Sequence, residues 1–512
     1  MVWQLLAKPL LGVVADGVKG FVETKKAKAI RLDNSTLFDI HKLSEYKEVD
    51  NCVAFLFTIL SIKIDKFKRK NQLKNKSQLK TLIVNLYKNY LDDKTRFVSI
   101  YLRKAYYENL ESRYNKLFIS SIIIDIVHAL DELGFIKINK GYFSPQKSRM
   151  SRIIGTNKLF NLFTKHQFST QMIQTSRDKE LIVMRDIVDG KKIDISYEDT
   201  SLTNQWREDL KKYNELLAKT YIDIPEFSDK GIKLLSKRNN DQTYTVSLNQ
   251  SDKVVQRIFN NNSWKDGGRF YGGWWQRIPS QYRSRIHFFG IPTSELDFSG
   301  LHINLLYLMC KTDLPSPDPY DIEGIGTNGL NRQIVKIILL HIINAKSRAS
   351  AIKSITMTIN FDTTLYEYVS QNNLDYLSFI DEILITHKPI KKYFFSGQGI
   401  KLQNFDAIMA EEVINHFTSL GIPILCIHDS FVIAADKTKE LDKVMTEKYE
   451  QVLKSLGLES DGIGLSTKGM PVGLFQQWLS RPVYLDNWID NMIKLSYDHP
   501  IWAKKLDSFN KK

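Results

Sequence analysis

The stretch ILCIHDSFVIAA, residues 424–435, is apolar apart from His428, Asp429 and Ser430 at its centre. Burying an ionised carboxylate costs several kcal/mol unless it is paired or bound to a metal. The pattern predicts a β-hairpin: one strand ending at Ile427, a tight turn over His428 and Asp429, and a second strand from Phe431. Asp429 would stand at the tip of this hairpin. An ordinary core hairpin with a solvated turn is the alternative that the stretch leaves open.

A second carboxylate ends another apolar strand upstream. IPTSELDFSGLHINLLYL, residues 291–308, predicts a strand ending in Asp297, a turn at Ser299–Gly300, and a helix from about Leu301. Two aspartates on neighbouring strands can hold two divalent cations, Mg²⁺ or Mn²⁺. Such ions clamp the attacking 3′-oxygen and the leaving pyrophosphate oxygen in an in-line displacement. The two strands therefore suggest a metal-dependent site.

Two further stretches carry groups suited to nucleotides. NRQIVKIILLHIINAKSRASAI, residues 331–352, predicts one long helix with Arg332, Lys336 and His341 near one face, where cations could neutralise a triphosphate. A solvated basic face is the alternative. GGRFYGGWW, within residues 241–279, combines glycines, an arginine and aromatics, as a site for a sugar–phosphate backbone and a stacked base requires. A tight, aromatic-packed turn is the alternative there.

These motifs, in this order, resemble those of the family A nucleic-acid polymerases. DFSGL at Asp297, RxxxK at Arg332–Lys336 and HDS at His428–Ser430 are similar to motifs A, B and C of that superfamily, which includes the DNA polymerase I type and single-subunit phage-type RNA polymerases. GRFY, residues 268–271, resembles the GRxY element of the latter. IKLQNFDAIMAEEVINHF, residues 400–417, resembles the helix that precedes motif C in the DNA polymerases.

The resemblance implies a role for each matching residue. Asp297 and Asp429 would hold Mg²⁺ or Mn²⁺, with the backbone carbonyl of Phe298 as a further ligand. Arg332 and Lys336 would bind the incoming nucleoside triphosphate, and Lys336 could protonate the pyrophosphate. The residues placed against the nucleic acid would be His428 at the primer end, Arg269, Tyr271 and Gln403.

The chain also departs from the family pattern. His302 stands where DNA polymerases carry the glutamate that excludes a ribose 2′-hydroxyl, and motif C reads HDS rather than HDE. Asn344 and Ala345 replace the expected Tyr-Gly, so the aromatic platform for the base is missing. His302 and Asn344 are therefore expected on the substrate, and the choice between DNA and RNA stays open.

The N-terminal half carries a second resemblance. RFVSIYLRKAYY, residues 96–107, predicts a strand, residues 115–135 a helix, and FIKINKGYFSPQKSRMSRIIGT, residues 135–156, two strands around a basic loop. Over residues 98–163 this pattern resembles winged-helix DNA-binding domains. The phosphate contacts that the resemblance implies are Lys140, Lys147, Arg149 and Arg152. A structural α+β subdomain with a solvated basic loop is the alternative.

Composition bounds the setting of these motifs. The net charge of +15 and pI near 9.3 suggest a polyanionic partner, most simply nucleic acid. Cys52, Cys310 and Cys426 are far apart and set among apolar residues, which predicts reduced thiols, no disulfide partner and a cytoplasmic location. Residues 1–28 could form an amphipathic helix that lies on a membrane or docks on protein. No segment predicts a transmembrane span.

We therefore expect an α+β protein: a polymerase-like palm on an antiparallel sheet, reduced helical fingers and an N-terminal winged-helix-like domain. The predicted segments are the amphipathic N-terminus (1–28), a basic helical region (29–95), the winged-helix-like domain (96–165), a connecting subdomain (166–240), the polymerase-like palm and fingers (241–485) and C-terminal helices (486–512). The expected activity is template-directed nucleotidyl transfer on a DNA template and primer. The alternatives are a catalytically silent DNA-binding protein and a membrane-associated replication or virion factor.

Overall fold

The protein is of the α+β class, with two hydrophobic cores. The computed structural model describes residues 32–68, 71–144, 148–227, 231–236, 239–326, 329–458 and 509. The predicted segment 1–28, Lys147 and most of residues 486–512 lie outside these ranges. No helix within the described ranges is long and apolar enough to cross a membrane. One core gathers residues between Phe38 and Ile173 and the other residues between Leu181 and Leu453, which defines an N-terminal unit (32–179) and a C-terminal unit (180–458).

As far as the structure describes it, the N-terminal unit consists of helices, one four-stranded sheet and two short two-stranded sheets. Its elements are β1 (Thr36–Leu37), β2 (Lys42–Leu43), α1 (Lys47–Lys63), α2 (Gln72–Asp92), β3 (Val98–Ile100), α3 (Lys104–Glu108), α4 (Ile122–Glu132), β4 (Ile136–Asn139), β5 (Tyr142–Phe143), β6 (Ser148–Arg149), β7 (Ser151–Gly155), α5 (Asn157–Lys165) and β8 (Gln174–Thr175). The sheet order is β1–β3–β7–β4, in which β7 runs antiparallel to both β3 and β4.

One predicted boundary in this unit is wrong, since the strand predicted over residues 96–107 is confined to β3. The helix within residues 115–135 begins at Ile122, directly after Ser121, a residue type that favours a helix N-terminus. Asn115 closes a turn instead, because its side-chain oxygen accepts from the Ile119 N–H and its side-chain nitrogen donates to the Ile119 carbonyl, both at 2.8 Å. Such local side-chain bonds compete with helix formation.

The C-terminal unit contains two larger sheets, one of which reaches back into the predicted connecting subdomain. Its strands are β9 (Ile182–Val188), β10 (Lys191–Ile195), β11 (Ile222–Asp223), β12 (Ile232–Ser236), β13 (Asn239–Val246), β14 (Gln256–Asn260), β15 (Ser263–Tyr271), β16 (His287–Phe288), β17 (Ile291–Asp297), β18 (Ile424–Ile427) and β19 (Ser430–Ala434). One sheet has the order β10–β9–β14–β15, so the predicted boundary near residue 240 falls inside a continuous core.

The other large sheet is antiparallel throughout, with the order β11–β16–β17–β19–β18. The helices around the two sheets are α6 (Ser201–Lys219), α7 (Ser280–Arg283), α8 (Leu301–Cys310), α9 (Gly329–Asn344), α10 (Arg348–Phe361), α11 (Thr363–Gln371), α12 (Phe379–Thr386), α13 (Gly399–Ser419) and α14 (Thr438–Ser455). This sheet brings the two strands predicted to carry the aspartates side by side.

Side chains from elsewhere cover the outer edge of this sheet at β18. The Tyr213 hydroxyl donates to the carbonyl of Ile424 at 2.8 Å. Trp275 Nε1 and Gln276 Nε2 donate to the carbonyl of Cys426 at 3.2 and 2.9 Å. An edge strand presents unpaired carbonyls that must find partners when they are buried. These donors supply them.

The single long helix predicted over residues 331–352 is two helices, α9 and α10. The carbonyls at the end of α9 are taken by another segment, since Phe395 N–H donates to Ile342 O at 2.7 Å and Gly397 N–H to Ala345 O at 2.9 Å. Ser347 then caps the start of α10 by accepting from the Ser350 N–H at 3.2 Å. The break therefore follows from tertiary bonds and a local cap.

A buried ion cluster joins the two units. Asp252 of the C-terminal unit receives Lys42 at 2.8 Å and Lys88 at 3.3 Å from the N-terminal unit, and Arg277 at 3.3 Å from its own unit. These three cations outweigh the cost of burying the carboxylate and hold the pKa of Asp252 well below its usual range.

Candidate active site

Asp297 and Asp429 meet at one end of the antiparallel sheet. Asp297 is the last residue of β17 and pairs with Ser430, the first residue of β19. The turn between β18 and β19 consists of His428 and Asp429, as predicted, and His428 adopts the left-handed conformation (φ 62°) that this tight turn requires. The Phe298 N–H reaches the Asp429 carbonyl at 3.4 Å. The fold thus brings together two carboxylates 132 residues apart in the chain.

The two carboxylates disfavour each other's ionisation. Desolvation and the charge of Asp429 raise the pKa of Asp297 to about 7, although Lys336 and Arg283 act in the opposite direction. Desolvation and the charge of Asp406 likewise raise the pKa of Asp429, against the effect of Arg269. Asp297 remains solvent-accessible at the rim of the site. Perturbed carboxylates in an accessible cleft are typical of functional sites.

A third carboxylate on the same sheet is neutralised. Glu295, two residues before Asp297, accepts a bidentate contact from Arg283, with Arg283 Nη2 at 2.7 Å and Nε at 2.9 Å. It also accepts from the Ser430 hydroxyl at 2.8 Å. Residues two apart on a strand share a face. Glu295 therefore positions Ser430 directly opposite Asp297, a role that the sequence prediction missed.

Behind Asp429 lies a buried triad of Arg269, Asp406 and His302. Arg269 of β15 contacts both carboxylate oxygens of Asp406, with Nε 3.0 Å from each. His302 Nε2 lies 2.9 Å from Asp406 Oδ2, and because a carboxylate can only accept, Nε2 carries the proton. Asp406 thus holds two predicted site residues in place.

Sequence reasoning missed Asp406. The residue is fully buried on α13. A signal was present, since Asp406 is a lone carboxylate on the face of α13 that otherwise buries Leu402, Met409 and Val413. A buried charge of this kind needs a partner.

Close packing of α13 on β15 brings the predicted nucleic-acid contacts together. Gly268 takes a left-handed conformation (φ +88°), and a Cβ there would lie 3.2 Å from the Asn404 side chain, which donates to the Gly267 carbonyl at 3.1 Å. Gln403, beside Asn404, is partly exposed on the same helix as Asp406. The Tyr271 ring meets His428 edge-on at 5.3 Å between centroids.

The tryptophans of GGRFYGGWW do not face this site. Trp274 and Trp275 are completely buried in the core. For them the aromatic-packed turn is correct, and only Tyr271 remains partly accessible.

On the other side of the aspartates, α9 presents its cations around Tyr320. Arg332 and Lys336 lie 5.0 and 5.7 Å from the centre of the Tyr320 ring. Arg332 also pairs with Asp318, with Nε 2.6 Å from the carboxylate. Burial raises the pKa of Tyr320 to about 12, and the charges of Asp429 and Asp297 act in the same direction. Tyr320 therefore lies between the cations and the aspartates.

The loop that carries Tyr320 is anchored from below. His387 is fully buried, its Nε2 donates to the Pro319 carbonyl at 3.0 Å, and its Nδ1 lies 2.9 Å from the Tyr307 hydroxyl. Burial lowers the pKa of His387 to about 4, so the ring is neutral and Nδ1 accepts from Tyr307. Pro319 also packs over Gly300, where a Cβ would come within 2.7 Å of it. No local pattern in the sequence signals these contacts.

Asn344 lies apart from this group. It is the last residue of α9, its side-chain nitrogen donates to the Leu340 carbonyl at 2.7 Å, and a Cβ on Gly399 would overlap its side-chain oxygen. The side chain is therefore held against the start of α13. This placement does not favour the predicted substrate contact.

The predicted wing residues have different environments. Arg152 is buried, with Nε donating to the Leu32 carbonyl at 3.0 Å and Nη1 to the Met150 carbonyl at 2.9 Å. The predicted phosphate contact of Arg152 is thus at odds with its structural role. Arg149 is partly exposed and lies over the Tyr142 ring at 5.3 Å. Lys147 lies outside the described residues.

The aspartate pair offers carboxylate oxygens, the ligand type that Mg²⁺ prefers. Within the described ranges, no group of three or more His, Cys, Asp or Glu side chains could hold a metal ion. Mg²⁺ commonly binds through one or two carboxylates, keeps several waters and takes further oxygens from substrate phosphates. Two carboxylates with raised pKa values, beside the main chain of Phe298, fit that donor set.

Comparisons with known proteins add no family to this description. No protein-family model matches the sequence, and no curated protein matches it.

Proposed function

We propose that this chain is a template-directed nucleotidyltransferase of the family A polymerase type. The observation that carries the proposal is the meeting of Asp297 and Asp429 at adjoining ends of antiparallel β17 and β19. Neither carboxylate forms a direct ion pair among the described contacts, and the pKa of each is raised. Two neighbouring carboxylates with raised pKa values suit a site in which a bound divalent cation compensates their negative charge. Asp297, Asp429 and the Phe298 carbonyl would hold Mg²⁺.

Each surrounding group has a defined task in this proposal. Bound Mg²⁺ would supply electrostatic stabilisation of the attacking and leaving oxygens. Lys336 and Arg332 bind the triphosphate, and Lys336, near enough to Asp297 to influence its pKa, donates the proton to the departing pyrophosphate. Tyr320 lines the triphosphate side through its contact with both cations. His428 and Tyr271 face the primer end.

The triad of Arg269, Asp406 and His302 bears on the choice of sugar. Because Nε2 of His302 is bonded to Asp406, Nδ1 is the ring nitrogen that is left for a hydrogen bond with a ribose 2′-hydroxyl. In the DNA polymerases that these motifs resemble, a glutamate at this position excludes the ribose 2′-hydroxyl. We propose that His302 admits a ribonucleotide.

The N-terminal unit supports a winged-helix interpretation. The succession α2–β3–α3–α4–β4–β7, with the sheet order β3–β7–β4, is what supports this part of the proposal. However, α4, the helix that would enter the major groove, carries Asp125, Asp131 and Glu132 and has no Lys or Arg. The hairpin of β5 and β6, which carries Arg149, therefore makes the nucleic-acid contact in this proposal, in place of α4.

The test is extension of a labelled primer on a template by purified protein with Mg²⁺ or Mn²⁺. Parallel reactions contain deoxynucleotides, ribonucleotides or neither. We expect template-dependent growth that Asp429→Asn lowers by at least about a hundredfold, because the ion-binding charge is lost. The matched control is Asp436→Asn, an exposed aspartate beyond β19, which should leave synthesis unchanged.

The same experiment distinguishes the polymerase from the second candidate function, a catalytically silent DNA-binding protein. Two observations favour that candidate. Arg332 is already paired with Asp318, and the Asn344 side chain is held against Gly399 at the start of α13. Tight nucleic-acid binding with no growth in any reaction would contradict the polymerase proposal. Growth that persists in Asp429→Asn would contradict the site.

A further inference from the structure

A cavity of about 340 Å³ opens in the N-terminal unit, between the end of β3 and the β5–β6 hairpin. Its lining includes Tyr101 and Arg103 from the first, and Tyr142 and Arg149 from the second. The volume lies in the range of cavities that hold small ligands. None of these four side chains takes part in the proposed polymerase site.

The cavity offers aromatic surface at its opening. Tyr101 is 37% exposed and its ring stacks on Tyr106, with centroids 3.9 Å apart and planes 21° apart. Because Tyr106 covers one face, the accessible area of Tyr101 belongs to the other face and the edge. Tyr142 is 43% exposed. A ring held flat by a neighbour is a preorganised platform for a planar ligand.

The same cavity offers positive charge. Arg149 Nε is buried and has no hydrogen-bond acceptor among the described residues, although the guanidinium lies over the Tyr142 ring. Residues 133–177 contain no Asp or Glu. The exposed cations that the structure describes in that range are Lys137, Lys140, Lys158, Lys165 and Arg177. Such a stretch attracts phosphate oxygens.

We propose that this cavity binds an unpaired nucleotide of a nucleic-acid strand, with its base against the tyrosine rings and its phosphate at Arg149 and Arg103. A paired base is stacked within its duplex and cannot reach a cavity. A strand fits better than a free nucleotide, because the cations extend well beyond the cavity and can follow a backbone. The acidic character of α4 also disfavours a duplex across this unit. The proposal does not depend on catalysis in the C-terminal unit.

Binding of a fluorescent single-stranded oligothymidylate to the full chain, followed by anisotropy, tests it. Tyr101→Ala and Tyr142→Ala should each weaken binding roughly five- to a hundredfold, the range for loss of one base–aromatic stack. Tyr101→Phe and Tyr142→Phe keep the ring and should bind as the native chain does. Tyr366→Ala, at an exposed tyrosine on α11, is the control and should also leave binding unchanged.

Arg149→Gln probes the phosphate contact. Each phosphate contact to a single strand contributes about 0.7 to the slope of log affinity against log salt, so this variant should lower the slope by about that amount. Exposed Lys191→Gln, on β10, is the control and should leave the slope unchanged. The unfolding temperature of every variant is recorded, and Phe variants that bind normally show that weakening in the Ala variants comes from the ring.

Other arms separate the sources of the ligand. A hairpin duplex without unpaired bases and free thymidine triphosphate should both compete much more weakly than the single strand. Equal competition by either, or unchanged binding in both Tyr→Ala variants, would overturn the proposal. Oligonucleotide binding and primer extension are separate measurements, so failure of this site and failure of the polymerase proposal are observed independently.

Discussion

Two acidic sites in this protein have opposite electrostatics. Asp252 lies among Lys42, Lys88 and Arg277, which lower its pKa. Asp297 and Asp429 lie beside each other, and the pKa of each is raised. Both sites are products of tertiary structure, since their partners are far apart in the chain.

The difference indicates what each site is for. The cations at Asp252 compensate its negative charge within the protein. Two of them, Lys42 and Lys88, come from the N-terminal unit, so the cluster holds the two units together. The aspartate pair is left with excess negative charge that the protein does not satisfy. A charge left uncompensated is costly for stability and is typical of a group that serves a ligand. The predictions below test this contrast.

The largest effect on stability should follow from Asp252→Asn. It takes the carboxylate from Lys42 and Arg277 and one of two from Lys88, which keeps Asp92 at 3.2 Å. Removing one partner of a buried pair such as Asp252–Lys42 costs about 3–5 kcal/mol. Urea unfolding should show this loss in the free energy of unfolding, together with earlier separation of the two units. An unfolding free energy equal to that of the native chain would mean that the cluster is not structural.

Asp297→Asn should have the opposite effects, a loss of activity without a loss of stability. Synthesis should fall by at least about a hundredfold, while the free energy of unfolding in metal-free buffer at neutral pH stays the same or rises, because a repulsion is removed. Primer extension and urea unfolding on the same preparation measure the two effects. A large loss of stability in this variant would show that Asp297 is paired like Asp252.

The pH dependence of stability should separate two groups of opposite sign. The pKa of His387 falls from 6.5 to about 4 on folding, so the unfolded chain binds the proton first and stability is lost as pH falls from about 6.5 towards 4. The full effect is on the order of 3 kcal/mol. His387→Gln, which keeps a donor for the Pro319 carbonyl, should flatten this dependence in urea unfolding across that range.

Asp297 should act in the reverse direction. Its folded pKa of about 7 exceeds the ordinary value of 3.8, so the folded state holds the proton more tightly and stability falls as pH rises from about 4 to 7 in metal-free buffer. Asp297→Asn should remove that fall, and exposed Asp436→Asn should not. The same curve in both variants would contradict the proximity of Asp429.

The smallest effect concerns the cations of α9. Lys336→Gln should raise the KM for the nucleoside triphosphate roughly tenfold through loss of one charged contact. Arg332→Gln should raise it less, because Asp318 already occupies that guanidinium. Lys353→Gln, an exposed lysine on α10, should change nothing. Steady-state extension with varied nucleotide concentration orders the three variants, and a larger effect for Arg332 would reverse the assignment.

The sequence predicts those parts of the site that depend on local pattern. The β18–β19 hairpin and the end of β17 were predictable because an apolar run interrupted by an acid is visible over a few residues. The helical character of α9 was predictable from periodicity. Its end at Asn344 was not, because bonds from Phe395 and Gly397 determine it.

The remaining parts depend on contacts that no local pattern reveals. Tyr320 reaches the site only because buried His387 anchors its loop. The sequence does not distinguish Arg149 from Arg152, since both are arginines of one basic loop. In the structure, Arg152 donates to main-chain carbonyls in the interior, whereas Arg149 lies over the exposed Tyr142 ring. Charge composition predicts how many cations a segment has, and only packing determines which of them stay available.

The donors that cover β18 have a consequence for the register of the sheet. Tyr213 reaches Ile424, and Trp275 and Gln276 reach Cys426, so their acceptors are two residues apart on one strand. A slip of one residue would turn every side chain of the strand to the opposite face. It would also remove these acceptors from their donors. Aromatic residues that never touch a substrate thus determine which residue occupies the hairpin tip, and a change at Tyr213 can misplace Asp429 without altering any group of the site itself.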